Sequence, residues 1–199
     1  MASSELLLAK KKLRHHMLGL RRHLSGEKHL AYSQSIWKRL QREVFFKRSN
    51  CIFCYASMPD EVQTLAFLKQ MLLQGKKVCL PFITGKGKME AVALPSLDVL
   101  TTGDFGILTV QAENRHKVSP ETIDCVIVPG AAFGRDGARL GMGGGYYDRF
   151  LMKQAVSAFR VAAAFSCQLT DKIPMEVHDC RVDAIVTEEE TIFCSPVKW

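Results

Sequence analysis

The sequence predicts an α/β protein: a single-domain layered fold with a mainly parallel sheet flanked by helices, preceded by an N-terminal basic helical arm. Short apolar runs alternate with segments of helical period, as in chains that build parallel sheets. The strongest run, IDCVIV at 123–128, is of the kind that parallel sheets bury on both faces. With 199 residues, 47% of them apolar, the chain suffices for one domain, spanning 1–199, with a substantial core.

Two helices are predicted first. Leucines and Met17 recur near a helical period between residues 4 and 24, and the pattern resumes after Ser25, a suitable N-cap, and continues to about Phe46. A helix at 60–74 is predicted to end at Gly75. The other expected elements are strands at 51–56, 77–82, 89–94, 159–165 and 182–187, a mostly irregular segment at 95–122, and a helix from Gly144 to about Ser157.

The formal net charge of +7 is concentrated in residues 10–48. A basic half attracts polyanions, so nucleic acid fits it, and ATP with an acidic small substrate fits it equally. No apolar run approaches the roughly 18 residues that span a bilayer. The N-terminal charges follow a short apolar stretch, which is the reverse of a secretory signal. We therefore expect a cytoplasmic protein without a membrane partner.

The seven cysteines, an odd number, show no disulfide framework. Cys51 and Cys54 form a lone CxxC motif inside an apolar run, with no second pair to complete a zinc site, so we interpret them as buried thiols in a reducing compartment. The neighbouring His15 and His16 lie on a basic helix and are interpreted as part of its solvated face.

The glycine-rich segment at 129–150 carries the chemistry. Three consecutive glycines, 143–145, precede a helix, so their N–H groups can form a nest for phosphate oxygens where the helix dipole also favours negative charge. Asp148, one turn into that helix, could hold magnesium against those phosphates. The segment matches neither the Walker A pattern nor the dinucleotide fingerprint. The structural alternative is a turn that merely lets strand and helix pack closely. Of Tyr146 and Tyr147, we expect one to pack inward and the other to face a ligand.

The run FGRDGARLGMGGGYYDRF at 133–150 resembles the signature of the 5-formyltetrahydrofolate cyclo-ligase family, also called methenyltetrahydrofolate synthetase. KKKLR (10–14), YASMPDEVQT (55–64) and HDCRVDAIVT (178–187) agree in order and approximate spacing. The resemblance implies an α/β enzyme with a reduced folate as its substrate, and we expect a monomer that does not bind nucleic acid. Its reaction is the ATP- and Mg²⁺-dependent cyclisation of 5-formyltetrahydrofolate to 5,10-methenyltetrahydrofolate, with release of ADP and phosphate.

The resemblance also assigns roles to residues. The magnesium ligands are Asp148 and Asp179. The folate contacts are Met58, Glu61, Gln63, Met142, Gly143, Gly144, Gly145 and Tyr146. The ATP contacts are Lys10, Lys11, Lys12, Leu13, Arg14, Arg139, Leu140, Gly141, Met142, Gly143, Gly144, Gly145, Tyr146 and Tyr147.

The sequence departs from the family at two places. Some members carry Arg and Lys in the glycine turn where this chain has Met142 and Gly144, so the lysines and the arginine of 10–14 are expected to supply more of the charge. An acidic residue often stands in the place of Gln63, which leaves Glu61 as the nearest carboxylate for the pterin.

Two other functions remain open from the sequence. A non-catalytic nucleotide- or RNA-binding relative would use the basic segment 10–48, although no aromatic RNA-binding strand motif or zinc knuckle is present. Another enzyme on the same scaffold, such as a sugar-phosphate isomerase or acyl-CoA transferase, would turn over without ATP. For the cyclo-ligase, the sequence predicts that Asp148→Ala abolishes activity with little loss of folding.

Overall fold

The structure is a computed structural model that describes residues 3–103, 106–155 and 157–195. Five α-helices and twelve β-strands are found in these ranges. The helices are α1 (Ser3–Arg22), α2 (Gly26–Leu40), α3 (Val44–Arg48), α4 (Leu65–Leu73) and α5 (Tyr146–Lys153). The strands are β1 (Cys51–Phe53), β2 (Lys77–Gly85), β3 (Lys88–Ala93), β4 (Leu100–Thr102), β5 (Leu108–Val110), β6 (Lys117–Val118), β7 (Cys125–Val128), β8 (Ala132–Phe133), β9 (Arg139–Leu140), β10 (Phe159–Ala163), β11 (Ala184–Val186) and β12 (Thr191–Phe193).

Eight strands form the central sheet in the order β12-β11-β10-β7-β1-β2-β3-β6. The five central strands from β11 to β2 are parallel, and β12 and β3 pair antiparallel with their neighbours. Helices cover the sheet, as the α/β prediction requires. Alternate residues of each strand face opposite layers: Ile52 packs with α2 and α4, whereas Phe53 packs against α5. The predicted fold class is confirmed.

The first helix is not a free arm. Its buried Met17 packs with Ala132, Ala138 and Leu140 of the β8–β9 hairpin region. Lys10 and Arg21, spaced three helical turns apart along this helix, are buried as well. Some basic residues of α1 are therefore exposed, including His15 and His16, as expected. Others, Lys10 and Arg21, are buried.

Several predicted boundaries were wrong. The helix expected to reach Phe46 ends at Leu40, and a separate α3 follows. The strand predicted at 51–56 ends at Phe53, and the helix predicted from residue 60 begins at Leu65. In both cases backbone groups between residues 54 and 64 bond to side chains of the same loop, which sequence periodicity does not register.

The segment predicted as mostly irregular, 95–122, contains the short strands β4, β5 and β6 and three 3₁₀ turns, while its residues 104 and 105 lie outside the described ranges. The helix predicted to run from Gly144 to about Ser157 spans Tyr146–Lys153. The β8–β9 hairpin and the edge strand β12 were not predicted, because elements of two or three residues carry too little pattern. Within the described ranges, none of the helices is both long and apolar enough to span a membrane.

Candidate functional site

The order in which strands are added to the sheet reverses between the parallel neighbours β1 and β7. From β1 it continues to β2 on one side, and it later returns to place β7 on the other side of β1. Parallel sheets bind ligands in the crevice beyond the carboxyl ends of such a strand pair. Two loops enter this crevice: residues 54–64, which follow β1, and residues 129–145, which follow β7. Both loops carry residues that the sequence singled out.

The glycine turn, residues 141–145, has three exposed residues at its centre, 142–144. Gly143 has a φ of 103° and Gly145 a φ of 63°, conformations that other L-residues rarely adopt. Arg14 Nε on α1 donates to the carbonyl oxygen of Gly141 at 2.8 Å, and Arg149 Nη2 on α5 donates to that of Gly144. Because C=O and N–H point in opposite directions across a planar trans peptide, the two arginines orient the following amides away from themselves.

A cavity of about 530 Å³ opens on one side of this turn. It is lined by Lys10 and Arg14 from α1, by the glycine turn, by Asp148 and Met152 from α5, and by Glu176, His178 and Asp179 from the loop before β11. Cations, the glycine turn and carboxylates therefore border one space. Such a combination suits a polyphosphate carrying a divalent cation.

Asp148 is held by a buried arginine. Arg139 Nη2 lies 2.5 Å from Asp148 Oδ1, and the arginine side chain is 2% exposed. The amide of Cys180 donates to the same oxygen at 3.1 Å, which brings the loop that contains Asp179 next to Asp148. The two predicted metal ligands thus lie on adjoining elements, although each already has a cationic partner.

The partner of Asp179 is Lys10. Lys10 Nζ lies 2.5 Å from Asp179 Oδ2 and 2.7 Å from Glu176 Oε2. Burial alone would lower the pKa of Lys10, but its hydrogen bonds to Asp179 and Glu176 outweigh that effect and raise the pKa above its usual value. Lys10 is therefore a fixed positive charge in the wall of the cavity.

Three potential ligand atoms of this loop, from Glu176, His178 and Asp179, lie within 4.8 Å of one another. Glu176 was not predicted as a site residue. The only signal for it was its place three residues before Asp179, whose carboxylate accepts the Glu176 amide at 2.7 Å. Oxygen ligands of this kind suit Mg²⁺.

The other loop of the crevice holds the predicted folate contacts. Glu61 accepts the amide of Met58 at 2.9 Å and lies 4.0 Å from Arg21 Nη1. Burial raises the pKa of Glu61, against the opposing effects of that amide and of Arg21. The side-chain amide of Gln63 donates to the carbonyls of Met58, Pro59 and Glu61 at 3.0, 3.2 and 2.9 Å. Gln63 thus links three backbone positions of its own loop and holds the loop in one conformation.

A second cavity of about 630 Å³ lies beside this loop. Gln63, Ser57 and Asp60 line it, opposite Arg21 and His29. Neither Met58 nor Glu61 is among its lining residues. Glu61 instead lies close enough to Tyr147 to influence its ionisation, and so connects this loop with the helix after the glycine turn.

One of the two tyrosines packs inward, as expected, while a ligand for the other stays a prediction. Tyr147 packs inward, with its ring centroid 6.0 Å from that of Phe53. Burial, more than the neighbouring Cys54 and Glu61, raises the pKa of Tyr147 well above its usual value. Tyr146 lines a third cavity and lies under the guanidinium of Arg149, 5.7 Å from the ring centroid. Arg149 was not predicted as a site residue, although it directly follows Asp148.

Only some residues of the segment 10–14 line the cavity beside the glycine turn. Lys10 and Arg14 line the 530 Å³ cavity, whereas Lys11 and Lys12 are exposed and Leu13 packs beside Met17. The spacing of Lys10 and Arg14, one helical turn apart, explains the difference, since only those two share the face that points toward the glycine turn. Cys51 and Cys54 are buried free thiols, as the sequence predicted.

Comparison with known proteins decides the family. The model of the 5-formyltetrahydrofolate cyclo-ligase family matches residues 7–188. The chain belongs to this family. It is 30% identical to the mouse 5-formyltetrahydrofolate cyclo-ligase over 204 residues, covering 95% of this chain and 98% of the mouse protein. A probable 5-formyltetrahydrofolate cyclo-ligase of Schizosaccharomyces pombe is 33% identical over 181 residues, covering 82% and 88% of the two chains.

Solved structures agree with the cyclo-ligase assignment. The 5,10-methenyltetrahydrofolate synthetase of Aquifex aeolicus superposes with a TM-score of 0.84 at 30% identity, over 96% of this chain and 95% of that one. The 5,10-methenyltetrahydrofolate synthetase of Mycoplasma pneumoniae shares the fold, with a TM-score of 0.73 at 23% identity over 90% and 98% of the chains. The cyclo-ligase match includes both loops of the crevice.

Proposed function

We propose that this chain catalyses the ATP- and Mg²⁺-dependent cyclisation of 5-formyltetrahydrofolate to 5,10-methenyltetrahydrofolate, with release of ADP and phosphate. Family membership supports the reaction. The observation that carries it to particular residues is the glycine turn: it lies at the reversal point of the sheet and faces a cavity with Lys10, Arg14 and Asp148 in its walls. The rival readings, an RNA-binding relative and an enzyme that works without ATP, have no comparable support.

The nucleotide phosphates would lie against the glycine turn. The exposed backbone at 143–144 can donate amides, and Lys10 and Arg14 supply positive charge from the facing helix. The lack of Cβ atoms keeps the turn open, since a Cβ on Gly144 would lie 2.8 Å from the Tyr146 ring. Met142 is exposed there as well, which leaves its side chain accessible to either substrate.

Magnesium would be held by Asp148 and Asp179, with Glu176 as a third oxygen donor in the same cavity. All three are carboxylates, the ligand type that Mg²⁺ prefers, so the residues present fit the ion. When bound, the ion would neutralise charge on the transferring phosphoryl group. Lys10, released from Asp179 and Glu176, would remain within the same cavity and could pair with phosphate oxygens.

The reduced folate would lie along the 57–63 loop. Met58, Glu61 and Gln63 are the proposed contacts there, and Tyr146 and the glycine turn, which line a different cavity, are the further proposed contacts. Because the carbonyls of residues 58, 59 and 61 are bound by Gln63, the loop is a preformed surface rather than one that must order on binding.

The reaction requires that the two substrates be held in position and that the negative charge of the phosphates be neutralised. The formyl oxygen attacks the γ-phosphorus and ADP leaves, which converts a poor leaving oxygen into a phosphate. N10 then attacks the activated carbon, the C–O bond breaks, phosphate departs with the former formyl oxygen, and N10 loses its proton. Phosphoryl transfer of this type needs no protein nucleophile. Lys10, Arg14 and the turn amides stabilise the charge that develops on the phosphoryl oxygens.

The test follows the near-ultraviolet absorbance of methenyltetrahydrofolate in mixtures of the protein, 5-formyltetrahydrofolate, ATP and Mg²⁺. We expect a rise only when all of these are present. Turnover without ATP, or none at all in a protein whose circular dichroism shows it folded, contradicts the proposal. An Asp136→Ala variant is the matched control, because Asp136 forms an exposed pair with Arg181 away from the cavity and should leave the rate unchanged.

A further inference from the structure

Arg21, near the end of α1, is a buried cation to which the family resemblance assigned no role. It is 3% exposed and lies one helical turn after Met17, whose packing against the β8–β9 hairpin holds this part of α1 in place. Arg14 of the same helix lines the cavity beside the glycine turn, about 10 Å away along the helix axis. One helix therefore brings cations to both loops of the crevice.

The guanidinium of Arg21 contacts two consecutive carboxylates of the 57–63 loop. Its Nη2 lies 2.8 Å from Asp60 Oδ2, and its Nη1 lies 4.0 Å from Glu61 Oε1. Asp60 has a second cationic partner, Arg22, whose Nε lies 3.4 Å from the same oxygen. Within the described ranges, Arg21 is the one cation at ion-pair distance from Glu61. A planar guanidinium, with donors in a fixed fork, suits two carboxylates at once.

The surroundings of Glu61 favour its neutral form. Its side chain is 12% exposed, and burial raises its pKa, as does the charge of Asp60. The amide of Met58 and the charge of Arg21 act in the opposite direction. The other titratable groups that Glu61 influences carry no positive charge: Cys54, Tyr55 and Tyr147. Among the described side chains, Arg21 is thus the cation that favours an ionised Glu61.

We propose that Arg21 is a positioning residue for the folate: it orients Glu61 Oε1 and keeps the carboxylate ionised, so that it accepts N–H groups of the pterin ring. The inference rests on the proposed function, which makes Glu61 a folate contact. Glu61 Oε2 already accepts the amide of Met58 at 2.9 Å, so Oε1, which faces Arg21, is the oxygen left for the ligand. A protonated Glu61 would present a hydroxyl donor where the pterin needs an acceptor.

The experiment measures the KM for 5-formyltetrahydrofolate from initial rates between about pH 5.5 and pH 8.5 in the wild type and in Arg21→Met. Without Arg21 the pKa of Glu61 rises further, so Glu61 keeps its proton to higher pH. We expect the KM of the variant to be about tenfold above wild type near pH 6 and within about twofold near pH 8.5, with the KM for ATP unchanged. Arg21→Lys retains the charge without the fork, and its KM should keep the wild-type dependence on pH.

Two comparisons separate this role from a structural one. In Glu61→Gln the side chain cannot ionise, so adding Arg21→Met should change the folate KM by less than about twofold at any pH. Arg22→Met is the matched control, because Arg22 contacts the same Asp60 oxygen but is exposed, and it should keep the wild-type dependence on pH.

A rise in the folate KM of Arg21→Met that is the same at every pH would overturn the inference. So would an equal change in Arg22→Met, or the full change in the Glu61→Gln background. If circular dichroism shows Arg21→Met unfolded, Arg21→Gln, which keeps a donor for Asp60, takes its place, and loss of the wild-type pH dependence in a folded Arg21→Lys also contradicts the inference. Absence of any turnover in the wild type is a different result, which overturns the proposed function.

Discussion

The two loops of the crevice differ in how much they depend on their own side chains. The loop after β7 exposes its glycine turn and depends on distant residues, since Arg14 on α1 binds the carbonyl of Gly141, which lies 127 positions away. The loop after β1 is also bound by Arg21 and Trp37 from the helices, but most of its hydrogen bonds come from its own side chains. Ser57 and Thr64 exchange side-chain and backbone hydrogen bonds at 2.9 and 3.1 Å, and Gln63 binds three carbonyls.

This difference separates two roles. A loop closed by local contacts presents a fixed surface, whereas a loop held by cations from other elements can exchange those partners when an anion binds. Arg14 and Arg149 bind carbonyls of the glycine turn and Lys10 lines the same cavity, and all three side chains are donors suited to phosphate. We therefore expect substitutions in the turn to affect ligand binding, and substitutions in the 57–63 loop to affect stability first.

The largest effect is expected at Asp148. Asp148→Ala leaves the buried guanidinium of Arg139 without its carboxylate, so the free energy of unfolding should fall by about 3–5 kcal/mol. Activity should fall by more than about 100-fold, since a proposed Mg²⁺ ligand is lost. This revises the expectation from sequence that folding would be little affected. Urea denaturation and the absorbance assay measure the two effects.

The control for Asp148 is Asp136→Ala, whose carboxylate is 65% exposed and paired with an exposed arginine. Its cost should stay below about 1 kcal/mol. An Asp148→Ala protein as stable as the control would show that the Arg139 pair contributes nothing, and retained turnover would remove Asp148 from the site.

Gly143 tests the turn itself. With a φ of 103°, alanine at this position is strained, and Gly143→Ala should lose about 1–2 kcal/mol of stability together with about tenfold in ATP affinity. Gly75→Ala is the comparison, since Gly75 also has a positive φ, 75°, and lies after α4, with nothing within 4 Å of a Cβ there, whereas a Cβ on Gly143 would meet only Arg14, at 3.7 Å. Calorimetry should show an ATP affinity lowered only in the first variant. Equal affinities would mean that the turn is structural.

Gln63 tests the opposite loop. In Gln63→Glu the donor to the carbonyls of residues 58, 59 and 61 is replaced by a carboxylate that repels them, so stability should fall by about 1–2 kcal/mol. Gln70→Glu is the control, because the oxygen of exposed Gln70 accepts from Gln41 and a carboxylate would still do so. Urea denaturation of both variants is the measurement. If Gln63→Glu matches its control, the loop is not held by this amide.

The smallest effect is expected at Tyr147, whose buried hydroxyl has no hydrogen-bond partner among the described residues. Tyr147→Phe removes a polar group that is buried without compensation, so the protein should gain about 1 kcal/mol in the free energy of unfolding. Tyr32→Phe, at a partly buried ring that packs against Phe165, is the comparison and should be near neutral. A loss of stability in Tyr147→Phe would show that the hydroxyl contributes favourably.

Features that depend on local sequence pattern could be predicted from the sequence. The strand at 125–128, the inward and outward tyrosines and the position of the glycine turn follow from apolar runs and from the conformational needs of glycine. The pairs Lys10–Asp179 and Arg139–Asp148 could not be derived in this way. They join segments that only the folded sheet brings together, and an ion pair between distant residues produces no periodic pattern in the sequence. For the same reason Glu176 and Arg149 were missed.

The central claim is that the nucleotide binds at the glycine turn rather than beside the 57–63 loop. Labelling the 14 glycines with ¹⁵N and titrating with ATP and Mg²⁺ tests it in one spectrum, because Gly141, Gly143, Gly144 and Gly145 line one cavity and Gly26 and Gly106 line the other. The account predicts shifts in the first four resonances, with Gly26 and Gly106 unmoved. Shifts at Gly26 and Gly106 with an unchanged glycine turn would contradict it.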